Sequence, residues 1–178
     1  MAASTVKSEN IINLEASPQV PLDRKSGYLK TLIDQDAIPI TSVDEVGDII
    51  LLCPVRSDAV ALDIWIMNDA LDAVSDLVAD IGLYYSGIGG NQQKNGNTSG
   101  VAVDADCFAT LSTILQTAST AWASVRYEEA NITTADQQLW QVGGLSADPG
   151  GLFYLGFTVT TPAATDAAGD IIARIDYI

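Results

Sequence analysis

The sequence predicts a mainly β fold: an antiparallel β-sandwich of jelly-roll type, with two short helices in loops and an extended N-terminal arm. Short apolar stretches with a two-residue alternation recur along the chain, and turns rich in Gly, Pro and Asp separate them. Helices do not alternate regularly with these stretches, as they would in a parallel α/β sheet. At 178 residues the chain suits one domain, which we place at 46–178 after an arm at 1–45.

The arm is predicted because residues 1–45 contain Pro18, Pro21 and Pro39 and show no sustained period of either 2 or 3.6 residues. Small apolar clusters recur along it, which favours a segment that becomes ordered on a partner over a disordered tail. An isolated tryptophan on the body is a further candidate contact. The predicted interaction residues are Ile11, Ile12, Leu14, Val20, Arg24, Lys25, Tyr28, Leu32 and Trp65.

Three strands are predicted in the first half of the body. Residues 48–55 form a near-continuous apolar run, typical of a strand buried on both faces, and residues 59–67 and 77–86 alternate. An acidic loop at 68–76 separates the last two, and the polar, glycine-rich stretch 87–100 is expected to form an exposed tip that packs on nothing. In the second strand one predicted face is Val60, Leu62, Ile64 and Ile66, and the other is Ala61, Asp63 and Trp65.

Two short helices are predicted within loops. Apolar residues at intervals of three and four predict the first, over 105–118, with an aspartate as its N-cap. A capping box and a following Gly-Gly stop predict the second, over 134–142. The residues used are Phe108, Leu111, Ile114 and Leu115, capped by Asp104 or Asp106, for the first helix, and Thr134, Gln137, Gly143 and Gly144 for the second.

Three strands complete the body, at 122–128, 152–161 and 170–178. The last two alternate cleanly and are the most hairpin-like pair in the chain. In the first of that pair one predicted face is Phe153, Leu155, Phe157 and Val159, and the other is Tyr154, Thr158 and Thr160.

The charge of the chain disfavours partners that carry phosphate. The formal net charge is −15 and there is no histidine, so the chain repels nucleic acid and anionic membrane surfaces. Residues 1–30 carry four basic and three acidic side chains, which leaves −16 for the remainder. We therefore expect no direct nucleic-acid partner and no membrane association.

The cysteines and the N-terminus favour a protein made in the cytoplasm. Cys53 and Cys107 fit unpaired thiols of a reducing compartment better than a disulfide scaffold. There is no secretory signal, and no apolar stretch approaches the roughly 18 to 20 residues that cross a bilayer.

The residues that catalysis requires are largely missing. Without histidine there is no Ser-His-Asp or Cys-His arrangement and no histidine-containing metal site. Glu128 and Glu129 are adjacent and would point to opposite faces of a strand. Asp69, Asp72 and Asp76 could ligate calcium, but the calcium-loop pattern is absent and a solvated acidic loop is favoured. We predict no enzymatic activity, no catalytic residue, no cofactor and no metal.

Scattered segments resemble small structural proteins encoded in the virion gene clusters of tailed bacteriophages. The segments are residues 6–23, 47–54, Asn68-Asp69 with Leu71-Asp72, 144–148, 157–161 and 169–170. The resemblance implies a decoration or cement protein that is made in the host cytoplasm, sits on the capsid exterior of the virion and ties capsid subunits together. Its implied partners are the major capsid protein and further copies of itself, as a homodimer or homotrimer.

Two alternatives to a cement protein remain open at the level of sequence. One is another virion part, such as a head fibre base, a head-tail adaptor or a tail component. The other is a carbohydrate-binding module that uses Trp65, Trp140 and the 87–100 loop, although core or interface packing is the commoner role of aromatic residues in a sandwich.

Overall fold

The computed structural model describes residues 5–7, 11–12, 15, 30–33, 38–90, 92, 97–125 and 136–178. Within these ranges the protein is mainly β, as predicted, with ten strands, one 3₁₀ helix and one short α-helix, and Ile11, Ile12 and Glu15 are also helical. The strands are β1 (Thr5–Lys7), β2 (Lys30–Ile33), β3 (Ile38–Ile40), β4 (Ile49–Arg56), β5 (Ala61–Asn68), β6 (Val78–Tyr85), β7 (Ala102–Ser112), β8 (Ser119–Ser124), β9 (Leu152–Thr161) and β10 (Gly169–Tyr177). The 3₁₀ helix is Ile114–Gln116 and the α-helix is Leu139–Val142.

The strands form two sheets. Sheet 1 has the order β1-β4-β9-β6-β7, and sheet 2 has the order β2-β10-β5-β8, with β3 also paired to β10. β1 pairs with β4 in parallel, and all other pairs are antiparallel. The strands expected at 48–55, 59–67, 77–86, 152–161 and 170–178 are therefore confirmed to within about two residues at each end.

The eight strands from β3 to β10 pair as a nested set. β6 pairs with β7, β5 with β8, β4 with β9 and β3 with β10, so each pair encloses the previous one along the chain. Successive pairs alternate between the two sheets. This is the connectivity of one long antiparallel ribbon that has been rolled into two layers.

The main core lies between the two sheets, the layout expected of a β-sandwich. Sheet 1 contributes the predicted face of β9, and sheet 2 contributes Ile64 and Ile66 from β5 and Ile171 and Ile175 from β10. All of these side chains are essentially inaccessible to solvent. Burial of each large apolar side chain contributes about 1.5–3 kcal/mol, so this layer is the principal source of stability.

A β-bulge reverses part of the predicted face assignment in β5. Asp176 of β10 pairs with Asp63, but the next residue, Tyr177, pairs with Ala61, so Leu62 is an extra residue in β5. Ala61 is consequently buried and Leu62 is 38% exposed, the opposite of the prediction. Ile64 and Ile66, beyond the bulge, face the core as expected.

The helix predicted over 105–118 is wrong, because most of this segment is strand β7. Repeated bulges interrupt the pairing of β7 with β6. Leu83 pairs with Asp104, but Ile81, two residues away in β6, pairs with Ala109, five residues away in β7. Bulges break the two-residue alternation of a strand, so that apolar residues recur at intervals of three and four residues, as they would in a helix. Only the 3₁₀ helix near the end of the segment is helical.

The second predicted helix is shorter than expected. The α-helix begins at Leu139, and its capping box joins Gln138 and Gln141 in place of the predicted Thr134 and Gln137. The Gln138 N–H donates to the Gln141 side chain at 3.1 Å. Thr134 lies outside the described residues. The predicted stop is present, since Gly144 has a positive φ of 69° and its N–H bonds to the Gln141 carbonyl.

The last two strands do not form the predicted hairpin. β9 lies in sheet 1 between β4 and β6, whereas β10 lies in sheet 2. Because neighbouring strands occupy both edges of β9, β10 has no edge of β9 with which to pair. The connection over residues 162–168 therefore crosses from one layer to the other.

Described parts of the predicted arm pair with the body. β1 extends sheet 1, and β2 and β3 extend sheet 2, where Ile38 and Ile40 are buried in the main core. An arm over 1–45 that reaches a neighbouring chain stays a prediction. The strand expected at 122–128 begins earlier, at Ser119, and residues 126–128 lie outside the described residues.

Gly82 gives a test of the bulged β6–β7 pairing. A Cβ at Gly82 would lie 2.2 Å from the backbone oxygen of Asp104, so β7 would have to move away. Gly82→Ala should lower the free energy of unfolding by about 3 kcal/mol in urea denaturation. The control is Gly144→Ala, where a Cβ meets nothing within 4 Å and only the positive φ costs about 1 kcal/mol. Equal losses in the two variants would contradict this account.

Candidate interaction surfaces

The outer face of sheet 1 carries a second, smaller apolar cluster. Leu51 of β4, Tyr84 of β6 and Tyr154 of β9 are fully buried there, although they point away from the main core. Ile11, from the N-terminal segment, is also fully buried against them. The N-terminal segment therefore covers a face that would otherwise expose two tyrosine rings.

A polar network fixes this segment to the body around the Glu15 carboxylate. Lys7 Nζ donates to Glu15 Oε2 at 2.6 Å, while Ser99 Oγ and Tyr154 Oη donate to Glu15 Oε1 at 2.6 and 3.0 Å. Lys7 Nζ also donates to Ser99 Oγ at 3.1 Å. Lys7, Ile11, Glu15, Ser99 and Tyr154 are called the N-terminal clamp below. The clamp joins three segments that are distant in the sequence.

The clamp changes the ionisation of its members. Partial burial works to raise the pKa of Glu15, but the hydrogen bonds from Lys7, Ser99 and Tyr154 outweigh it and lower that pKa. Burial, together with the adjacent Glu15 charge, raises the pKa of Tyr154. Glu15 is thus held as a carboxylate that accepts hydrogen bonds, and Tyr154 as a neutral hydroxyl that donates one.

The described residues of the 87–100 stretch, which are 87–90, 92 and 97–100, are bound to the body beside the clamp, contrary to the expectation that this stretch packs on nothing. Gln92 is fully buried, and its Nε2 donates to the carbonyls of Gly150 and Leu152 at 3.0 and 2.7 Å. Its Oε1 accepts from the Gly87 N–H at 3.0 Å. These bonds hold the described parts of the loop in place, including Ser99, which belongs to the clamp.

The outer face of sheet 2 is different, because apolar side chains there remain partly open to solvent. The sheet 2 face comprises Ile33, Trp65, Met67, Trp122, Ile172, Arg174 and Asp176. Pairing places them together: Arg174 of β10 is opposite Trp65 of β5 on one side and Ile33 of β2 on the other. Each is half-buried or exposed, and none of the apolar ones belongs to either core cluster.

An ion pair lies at the centre of the sheet 2 face. Arg174 donates to both carboxylate oxygens of Asp176, at 3.1 and 2.7 Å, and Thr31 Oγ1 donates to the same carboxylate at 2.6 Å. Burial works to raise the pKa of Asp176, but these bonds lower it. At the edge of the face Ser124 Oγ donates to Asp63 at 2.6 Å. The charged groups of this face therefore already have hydrogen-bonding partners within the chain.

The interaction residues predicted from the sequence fall into three groups. Ile11 is buried in the clamp, Ile12 beside it is 56% exposed, and Leu32 is half-buried against the main core. Trp65 lies on the sheet 2 face. Leu14, Val20, Arg24, Lys25 and Tyr28 lie outside the described residues. Ile11 and Ile12 are adjacent in the chain, but Ile11 packs against the body and Ile12 faces solvent.

Sequence reasoning did not select several residues of the two surfaces. Glu15, Ser99 and Tyr154 gave no signal, because only the fold brings them together. Trp122 lies on the same strand as Ser124, which pairs with Trp65 of β5, and the sequence alone did not indicate that pairing. Trp140, by contrast, packs against the main core and its Nε1 donates to Gln138 at 2.8 Å. It is therefore not part of an exposed platform with Trp65.

The acidic loop has a structural role that the sequence did not predict. Asp72 is buried and accepts the backbone N–H groups of Val74, Asp76 and Leu77 at 3.0, 2.5 and 2.7 Å. Burial works to raise its pKa, but these bonds lower it. Asp72 thus stabilises the turn into β6 and is not a solvated side chain.

In the part of the chain that the structure describes, no group of three or more His, Cys, Asp or Glu side chains is placed to hold a metal ion. Among the same residues no helix combines the length and the apolar character that crossing a membrane requires.

The fold has counterparts among solved structures. A chain from the capsid of Ralstonia phage GP4 superposes with a TM-score of 0.59 and 18% identity, covering 98% of this chain and 97% of its own. This chain has the fold of a phage capsid chain. A second one, from the capsid asymmetric unit of cyanophage Pam1, gives a TM-score of 0.51 and 15% identity over 92% and 95% of the two chains. No family model and no curated protein matches the sequence.

Adjacent isoleucines provide a matched test of the clamp. Ile11→Ala should weaken the N-terminal segment's attachment by about 3 kcal/mol, because it leaves a cavity between Leu51 and the two tyrosines. Ile12→Ala should change stability by less than about 0.5 kcal/mol, since Ile12 is exposed. Urea denaturation together with amide hydrogen exchange in β1 measures both. Similar effects at the two positions would show that Ile11 does not anchor the segment.

The lowered pKa of Glu15 predicts a pH-dependent clamp. A carboxylate whose pKa is depressed by folding contributes stability above its unfolded value, here 4.5, and loses that contribution as the pH falls through the folded value. Glu15→Gln should therefore be less stable than the wild type at pH 7, and the difference should shrink below about pH 4. Thermal melting of both proteins between pH 3 and pH 7 measures this. A difference that does not depend on pH would contradict the proposed role of the charge.

Proposed function

We propose that this protein is a non-enzymatic structural component of a bacteriophage virion, of the capsid decoration or cement type. It binds the outer surface of the capsid, contacts the major capsid protein and stabilises contacts between capsid subunits. The observation that carries the proposal is the similarity to two capsid chains over more than nine-tenths of every chain compared. A match over whole chains favours a shared architecture over a shared local motif.

The strand pairing supports a specific version of this fold. The nested pairs β6–β7, β5–β8, β4–β9 and β3–β10 have the connectivity of a jelly roll, in which one antiparallel ribbon is rolled into two four-stranded layers. We infer that β3 to β10 are the eight strands of the roll, and that β1 and β2 are additions from the N-terminal segment. Jelly rolls occur widely in viral capsids.

The energetics of a cement protein require no chemistry. Each copy would bury apolar surface at about 25 cal/mol per Å² against neighbouring subunits. Many copies on one particle would act together, because each bound copy restrains the subunits that it bridges and so assists the binding of the next. A body with two packed layers, to which Lys7, Ile11 and Glu15 are bound, would lose little ordering entropy on binding.

Binding to capsids tests the proposal. Purified protein added to expanded, undecorated capsids of the same phage should bind in hundreds of copies per particle and should raise the temperature at which the particles lose their genome. Quantitative gel densitometry and a particle stability assay measure the two effects. No binding, or unchanged heat resistance, would overturn the cement role. A dozen or fewer copies per virion would favour a head-tail adaptor, fibre base or tail component.

A further inference from the structure

A cavity of about 290 Å³ opens on the surface where β4 turns into β5, beside the end of β10. Its size lies close to the lower end of the range for small-molecule sites, roughly 300 to 1,000 Å³. The lining combines an ion pair, an aromatic ring and aliphatic side chains, supplied by Arg56, Asp58, Ala59, Tyr177 and Ile178. The proposed capsid role makes no use of this combination.

The turn between β4 and β5 is fixed by its own backbone and by neighbouring loops. The Ala59 N–H donates to the Arg56 carbonyl at 3.2 Å, which closes the turn. The Ser57 N–H donates to the Gly151 carbonyl at 3.1 Å, and the Ser57 carbonyl accepts from the Trp140 N–H at 3.0 Å. A wall that is already fixed loses little ordering entropy when a ligand binds to it.

The end of β10 forms another part of the wall. Ile178 and Val60 exchange two backbone hydrogen bonds, of 3.0 and 3.1 Å, which hold the end of β10 beside the turn. Tyr177 is half-buried, packs against the main core and also lines the cavity. The bulge at Leu62 lies opposite Tyr177, and bulges often re-aim side chains next to binding sites. The aromatic ring is therefore held in place at the cavity.

The Arg56–Asp58 ion pair supplies the polar part of the lining. Arg56 Nε and Nη2 donate to the two carboxylate oxygens of Asp58, at 2.7 and 2.5 Å. The hydrogen bonds and the charge of Asp58 raise the pKa of the guanidinium, so Arg56 stays charged. A guanidinium has further N–H groups, and a carboxylate has further lone pairs. The pair thus presents donors and acceptors side by side without a net charge.

We infer that this cavity binds one ring of a neutral saccharide, with sugar hydroxyls on the Arg56–Asp58 pair and the apolar side of the sugar ring against Tyr177. A hydroxyl both donates and accepts hydrogen bonds, which matches a lining that offers both. An aromatic ring provides a flat apolar surface beside those polar groups. This binding activity is additional to the proposed capsid role and does not depend on it.

Charge disfavours the other classes of small ligand. An anion would approach a chain that carries −15 and would have to compete with Asp58 for the guanidinium. A cation would be repelled by the charge of Arg56, which lies in the same lining. A wholly apolar ligand would remove water from an ion pair, and that desolvation is costly. A neutral ligand with many hydroxyls avoids all three penalties.

An NMR titration of the isotope-labelled full chain tests the site. The probes are glucose, galactose and N-acetylglucosamine, each at up to about 100 mM. At least one should shift the amide signals of residues 56–59 and 177–178, with a dissociation constant of about 1 to 10 mM, the weak affinity expected of a ligand this small. Arg56→Gln should weaken the binding at least about tenfold, because it removes the charged donor. Tyr177→Leu keeps the apolar packing but loses the ring, and should weaken it at least about threefold.

Another Arg–Asp pair of the chain provides a matched control. Arg174 and Asp176 have the same two-residue spacing, and Arg174 also donates to both oxygens of its carboxylate partner, but neither residue lines the cavity. Arg174→Gln should therefore leave saccharide binding unchanged.

Three results would overturn the inference. They are no shift with any of these saccharides, an equal loss of binding in Arg56→Gln and Arg174→Gln, and tighter binding of phosphate, acetate or a neutral blocked dipeptide than of a saccharide. Asp58→Asn replaces Arg56→Gln if the latter alters the spectrum away from the cavity, so that misfolding is not mistaken for loss of the site. Capsid binding is measured separately: a chain that binds capsids but no saccharide would keep the cement role and remove only this site.

Discussion

Tyr84 and Tyr154 lie opposite each other on the outer side of sheet 1, and neither ring is accessible to solvent. Burial on this side is what the rest of the structure depends on, because two large rings facing away from the main core need a cover of their own. The cover comes from Ile11 and from the Glu15 network, which bind the N-terminal segment to β4 and β9. Burial also raises the pKa of Tyr84 to about 12, and its hydroxyl shares a hydrogen bond with Thr158.

This constraint makes the two layers unequal. Sheet 1 is covered on its inner side by the main core, and on its outer side around Leu51, Tyr84 and Tyr154 by the N-terminal residue Ile11. Sheet 2 is covered on its inner side, while Trp65, Trp122 and their apolar neighbours remain partly open on its outer side. The outer side of sheet 2 therefore keeps apolar area that folding has not fully buried.

Much of the layer structure could be predicted from local pattern, and the errors have local physical causes. The alternation in β9 gave its bounds and faces correctly, and that in β10 gave its bounds to within one residue, because each side chain there follows the pleat. In β7 the bulges opposite Leu83 and Ile81 shifted the pattern to intervals of three and four, which imitate a helix. In β5 one bulge at Leu62 turned Ala61 towards the core and Leu62 towards solvent, the reverse of the prediction. A bulge is a property of a strand and its partner together, so the sequence of one strand does not reveal it.

The sequence by itself determined that the chain is mainly β, which side of β9 faces a core, that its body is acidic, and that it has no histidine. Periodicity is a property of a short stretch of chain, and composition is a sum over all residues. Both can therefore be read without knowing which strands pair. Only the tertiary structure decided that β9 and β10 belong to different sheets, that Ile11 is buried while Ile12 is not, and that the partners of Glu15 come from positions as distant as Ser99 and Tyr154. These facts depend on which strands meet, and contacts between residues far apart in the chain leave no period in the sequence.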